Sequence, residues 1–219
     1  MSSSYSTELA GVIRNFLDND DWHYEFLEDC GIFRFGSRIP CQIKKVDIII
    51  DVKDDAFVTY VICPLSAELK DEHQTLEMVK FLTMANYGLL NGNWEFDFTD
   101  GEIRYKIFVN CEGVMPSYEV IKASIGCPAA MYHRYAPGIL QILLNGKSAE
   151  EVIRECESDL PRRPAAEPED TEDTDDEDDS LPEGDDFVPE TEDFVMDGDL
   201  EEQAARLLEM LHSFRPETE

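Results

Sequence analysis

The sequence predicts an α+β fold: an antiparallel sheet with helices packed on it, in the order α-β-β-β-β-α-β-β-α-α, followed by an acidic tail. Three observations carry the prediction. Over the first 158 residues the hydrophobic period switches between 3.6 and 2. An Asp-Gly step at Asp100-Gly101 joins two alternating segments, a strong short-range hairpin signal. Past Leu160 the composition changes abruptly, with almost nothing to bury.

In "STELAGVIRNFLDND", Leu9, Val12, Ile13, Phe16 and Leu17 form one helical face. Ser6 is its N-cap, and Asp18-Asn19-Asp20 breaks it. Trp22, Tyr24 and Phe26 then alternate as in a strand, and Asp29-Cys30-Gly31 turns the chain into a second short strand. "KKVDIIIDVKDDAFVTYVICP" predicts a hairpin. Val46, Ile48, Ile50 and Val52 share a face, Lys53-Asp54-Asp55 turns, and Pro64 ends the strand after Phe57–Cys63. From Leu69 to Tyr87 the spacing is helical, with Leu76, Val79, Leu82 and Ala85 on one side and Gly88 as the stop.

The stretch Met84–Val109 is rich in Asp, Asn and Gly, so a calcium loop has to be weighed. With Gly101 at the sixth position, the first, third and twelfth ligand positions fall on Phe96, Phe98 and Ile107. The calcium reading fails. A two-residue type I′ hairpin fits better. It pairs Phe98 with Ile103, Phe96 with Tyr105 and Trp94 with Ile107 on an apolar face. The other face pairs Asp97 with Arg104 and Glu95 with Lys106. A third helical region runs from Ser117 to Leu144, and Pro128 and Pro137 predict two or three segments or a kink. Ser148 and Glu151 then form a capping box for a short last helix.

The order of elements, and the segment "FLTMANYGLLNGNWEFDFTDGEIRYKIFV" above all, resembles the YbjN-like family. This is a bacterial family described as sensory-transduction regulators, with the fold of type III secretion chaperones. "MYHRYAPGILQILLNGKSAEE" is similar to the family's last helices, and the resemblance covers roughly residues 5–157. It implies a dimeric, chaperone-like shape that holds a polypeptide on a sheet-and-helix surface. It brings no catalytic residues with it.

The charge excludes some partners. The net charge is −31, and residues 161–219 hold −19 of it, from 23 acidic and 4 basic residues. Nucleic acid and anionic membranes would repel such a chain, and a basic protein segment suits it better. No apolar run reaches a membrane span and the start has no signal-peptide pattern, so a reduced, bacterial cytoplasmic setting is expected. The six cysteines form no CxxC pair, and the four histidines match no ligand spacing. Neither a metal nor a cofactor is expected. Gly146-Lys147-Ser148 lacks the rest of a phosphate-binding loop.

Three segments follow: a domain at 1–158, an acidic disordered linker at 159–199, and an amphipathic helix at 200–215. The linker contains "DFV" twice. Phe187, Val188, Phe194, Val195 and Met196 stand singly among acids, and a purely solvating tail has no need of them. Leu200, Ala204, Leu207, Leu208, Leu211 and Phe214 share one helical face, too short to be stable alone. These residues are candidate docking elements, for a partner, for a second copy, or for the chain's own domain. The expected function is non-catalytic protein binding, regulatory or chaperone-like. The alternative is a thiol enzyme or redox sensor at Cys127, if a helix restarts at Pro128 and its dipole activates the thiol.

Overall fold

Four helices gather on one face of a six-stranded antiparallel sheet in the computed structural model, which describes residues 5–158. The elements run α1 (Thr7–Asn19), β1 (Glu25–Leu27), β2 (Ile32–Arg38), β3 (Lys45–Val52), β4 (Ala56–Ser66), α2 (Glu72–Asn86), β5 (Asn93–Phe96), β6 (Glu102–Asn110), α3 (Tyr118–Asn145) and α4 (Ala149–Cys156). The sequence order of helices and strands is thus the observed one. Spatially the strands lie β1-β2-β3-β4-β6-β5, with every neighbouring pair antiparallel.

The N-terminal helix forms for the expected reasons. Ser6 Oγ accepts from the Leu9 amide at 3.1 Å, and Leu9, Ala10, Ile13, Phe16 and Leu17 are its buried stripe. Ser6→Ala is expected to cost about 1 kcal/mol, visible as a lower urea midpoint with an unchanged slope. The β3–β4 turn also falls at Lys53-Asp54-Asp55, where the Lys53 amide donates to the Ala56 carbonyl at 2.8 Å. Val46, Ile48, Ile50 and Val52 of β3 are all buried on the helix side.

Six details depart from expectation. Strand β4 does not stop at Pro64 but runs to Ser66. The proline is tolerated because the β4–β6 ladder is irregular between Ile62 and Ser66, and the β3 pairing has already ended at Ile62. Helix α2 buries Leu82 and Ala85 as predicted, but its buried face is turned away from Leu76. Leu76 is exposed, and Glu77, Met78, Phe81, Leu82 and Ala85 are buried.

The β5–β6 hairpin pairs Trp94 with Tyr105 and Phe96 with Ile103, two residues off the predicted register. A shift of two keeps each side chain on its face, so the apolar-in pattern survives. The turn is longer than predicted. Gly101 has φ 77° but Asp100 is not in the positive-φ region, so a type I′ turn does not form. Instead the Gly101 amide donates to the Asp97 carbonyl at 2.8 Å, the Thr99 amide and hydroxyl both donate to Asp97 Oδ1 at 2.7 Å, and Phe98 is left exposed. Only glycine suits position 101, because an added Cβ would strike the Ala67 carbonyl.

Helix α3 is one continuous helix of 28 residues, with both prolines inside it. Each proline forfeits a helical hydrogen bond, but α3 is the central helix and packs on β4, β6, α1, α2 and α4. It is also tied to the sheet by polar side chains. Thr59 Oγ1 donates to Ser124 Oγ at 3.1 Å, and the Tyr132 hydroxyl donates to the Val61 carbonyl at 3.0 Å. Tertiary packing outweighs local propensity here. At α4, Ser148 Oγ accepts from the Glu151 amide at 3.4 Å, but the Glu151 carboxylate pairs with Lys147 Nζ at 2.9 Å. The predicted capping box is therefore half made.

Asn86, the last residue of α2, has a clear role. Asn86 Nδ2 donates to the Trp94 carbonyl at 3.0 Å, and Asn86 Oδ1 accepts from the Trp94 amide at 2.6 Å. One side chain thereby covers part of the edge strand β5. Trp94 is buried against the edges of Tyr105 and Tyr132, with ring centroids 5.1 and 4.8 Å away.

Candidate binding face of the sheet

Side chains alternate across a strand, so the face opposite the helices is set by the residues between the core positions. Three cross-strand rows define it. One runs Ile32, Asp51, Val58, Phe108; the next runs Arg34, Ile49, Tyr60, Lys106, Asn93; the third runs Gly36, Asp47, Ile62, Arg104, Glu95. At their centre lies an apolar lane of Ile49, Val58, Tyr60, Ile62 and Phe108. No helix among the described residues packs on it. Phe108, near the end of β6, is 58% exposed and stands out of the lane, while Ile49, Tyr60 and Ile62 are half-buried and Val58 is buried among them.

Charged groups border the lane and fix its shape. The Arg104 guanidinium lies 4.4 Å from the Tyr60 ring centroid and also bonds Glu95 Oε2 through Nε and Nη2, each at 2.8 Å. Lys106 Nζ holds the other Glu95 oxygen at 2.9 Å. Burial works to raise the Glu95 carboxyl, but hydrogen bonds from Lys106 and Arg104 hold it below the usual carboxylate range. Glu95 therefore takes both of the charge pairings that the sequence had divided between Glu95 and Asp97. Across the lane, Arg34 makes no ion pair among the described residues. An open cleft of about 510 Å³ beside the hairpin is lined by Glu95, Phe96, Asp97, Phe98, Glu102 and Arg104. Its one cation is already paired with Glu95 and Glu102, so the cleft offers no free charge to an anionic substrate.

The sequence-predicted docking residues Phe187, Val188, Phe194, Val195, Met196, Leu200, Leu207, Leu208, Leu211 and Phe214 lie outside the described residues, as do the boundaries proposed at 159–199 and 200–215. Cys127 is placed, and the premise for its activation is overturned. It lies in the middle of α3 rather than at a helix start, and burial pushes its thiol pKa up, away from the thiolate. His133 is on the exposed side of the same helix, and His23 and His73 are exposed elsewhere. Among the described residues, no group of three His, Cys, Asp or Glu side chains is placed to hold a metal, and no helix is long and apolar enough to cross a membrane.

The lane itself was missed by the sequence reading, although a signal was present. "DIIID" and "AFVTYVI" are apolar at both parities, whereas a sheet with one wet face should alternate cleanly. Ile49, Val58 and Ile62 are the residues that break the alternation. No protein-family model matches the chain, and no curated protein matches it.

Proposed function

We propose that this is a non-catalytic binding protein that holds a polypeptide on the helix-free face of its sheet. The observation that carries this is the lane of Ile49, Val58, Tyr60, Ile62 and Phe108, apolar at its centre and charged at its rim. That arrangement matches the anatomy of a protein-binding patch, with an aromatic anchor and polar borders. The reading agrees with what the YbjN-like resemblance implies: a regulatory or chaperone-like protein of the bacterial cytoplasm, with a homodimer expected by the same analogy. The overall charge of −31 favours a partner with a basic segment. The acidic tail is a second docking or self-masking element.

The test is a selection of peptide binders from a displayed library against the intact protein. Binders should lose at least about tenfold in affinity with Phe108→Asp, equal to about 1.4 kcal/mol. They should be unaffected by Leu90→Asp, since Leu90 is fully exposed in the link between α2 and β5. Phe108 is half out of the protein, so its substitution should cost about 1 kcal/mol of folding stability, through lost strand propensity, and leave the fold intact. Binders indifferent to Phe108→Asp would move the site elsewhere and sink the proposal.

A further inference from the structure

We infer that the occupant of this face in the free protein is the chain's own segment Leu200–Phe214, which masks the lane until a partner displaces it. The inference rests on the binding-face reading above. Three observations point to this occupant.

The first is shape. The spacing of Leu200, Leu207, Leu208, Leu211 and Phe214 predicts one apolar helical face, and a helix of that length would span about 22 Å. Along β4 the lane's Val58, Tyr60 and Ile62 span about 13 Å, so about two turns of such a helix would lie on it. The helices already cover the opposite face, so one more amphipathic helix would close the sheet into a third layer, an ordinary solution for a sheet apolar on both sides. The second is reach. Residues 159–199 separate the end of the described domain from the segment. A flexible chain of that length spans about 35 Å root-mean-square, and like charges extend it. A domain of this size has a radius of gyration of about 15 Å, so every face lies within reach. The tether also supplies an effective concentration of about a millimolar, so even a weak intrinsic affinity fills the site. The third is charge. The segment arrives on a tail carrying −19, and on this face Arg34 makes no ion pair among the described residues, whereas Arg104 and Lys106 are already held by Glu95. The apolar contact drives docking and Arg34 orients it.

The experiment uses the full chain with p-benzoylphenylalanine in place of Phe108, irradiated at low micromolar concentration and mapped by mass spectrometry. The expected result is a crosslink within one chain to a peptide from 200–214, with a yield unchanged over a hundredfold dilution. Leu207→Asp with Leu208→Asp should cut that yield at least tenfold, and the full chain carrying both should bind the library-selected peptides more tightly than the unmodified chain. The same photoprobe in place of Leu144, exposed at the far end of α3, should not reach the segment. A crosslink between two chains that fades on dilution would overturn self-masking in favour of a second copy. Absence of any crosslink to 200–214 would overturn it as well. If library peptides still crosslink at position 108 in that case, the binding face stands without the mask. If nothing crosslinks there, both readings fall.

Discussion

Gly138→Ala is expected to destabilise the protein, although alanine is the better helix former. Gly138 lies inside α3, where alanine alone would gain about 1 kcal/mol. An added Cβ, however, would drive into the Phe81 ring of α2, with Cys156 Sγ 3.1 Å away on α4. Phe81 is fully buried and stands edge-on to Tyr135, at 6.1 Å between ring centroids, so it has little room to swing aside. Overpacking of this kind costs about 1–3 kcal/mol, and the sum is a net loss. Gly138→Val should lose more, because two further methyl groups enter the same junction of three helices. Adding Phe81→Leu to Gly138→Ala should recover part of the loss, since the two changes share a contact. Urea denaturation at constant slope measures all three. If Gly138→Ala raises the midpoint, the close approach of α2 and α3 is not what places glycine here.

Local patterns were legible in the sequence where one principle acted alone. The stripe of α1 and its Ser6 cap, the alternation of β3, and the turn at Lys53-Asp54-Asp55 all follow from spacing and turn chemistry. The misses fall where tertiary packing competes with local preference. Two prolines predicted breaks in α3, but a helix buried against the sheet and three other helices keeps its course through them. The Asp100-Gly101 step signalled a hairpin correctly. It could not fix the turn length, because only Gly101 takes a positive φ and Asp97 gathers the Thr99 amide and hydroxyl. The face of α2 was legible at Leu82 and Ala85 but not at Leu76, because Glu77, a residue that spacing rules place outside, is held inside by its hydrogen bonds from Ala149 and Lys80.

The candidate face was harder to read because it exists only across strands. Ile49, Tyr60 and Lys106 are neighbours in a ladder but far apart in the chain, so they form no motif. Parity was the one available clue, and Ile49 between the core-facing Ile48 and Ile50 reads as part of one apolar run. The tail candidates had the opposite character. They stand out in sequence because apolar residues are conspicuous among acids.

Glu77→Ala is expected to cost about 2 kcal/mol, as removal of a buried charge-assisted acceptor does. Glu77 is only 5% exposed. Its Oε2 accepts from the Ala149 amide at 2.7 Å, and its Oε1 accepts from Lys80 Nζ at 2.8 Å. Ala149 opens α4 and is fully buried, so its amide is one of the donors a helix start cannot satisfy within itself. Glu77 thus pins α4 to α2, with its charge at the favourable end of the α4 dipole. The hydrogen bond from Lys80, then that from Ala149, holds its carboxyl below the usual range against the pull of burial. A carboxylate lowered on folding stabilises the protein above its unfolded pKa of about 4.3. That contribution is lost as pH falls through the lower folded value. Glu77→Gln keeps an acceptor for Ala149 but cannot ionise, so its loss at neutral pH should be smaller than that of Glu77→Ala. The gap between wild type and Glu77→Gln should be full at pH 6 and close as the pH is taken well below 4. Glu95 and Asp97 are also lowered and remain in both proteins, so the difference curve isolates Glu77. A gap that stays constant from pH 6 to 3 would mean that the carboxylate's charge is not what fastens α4.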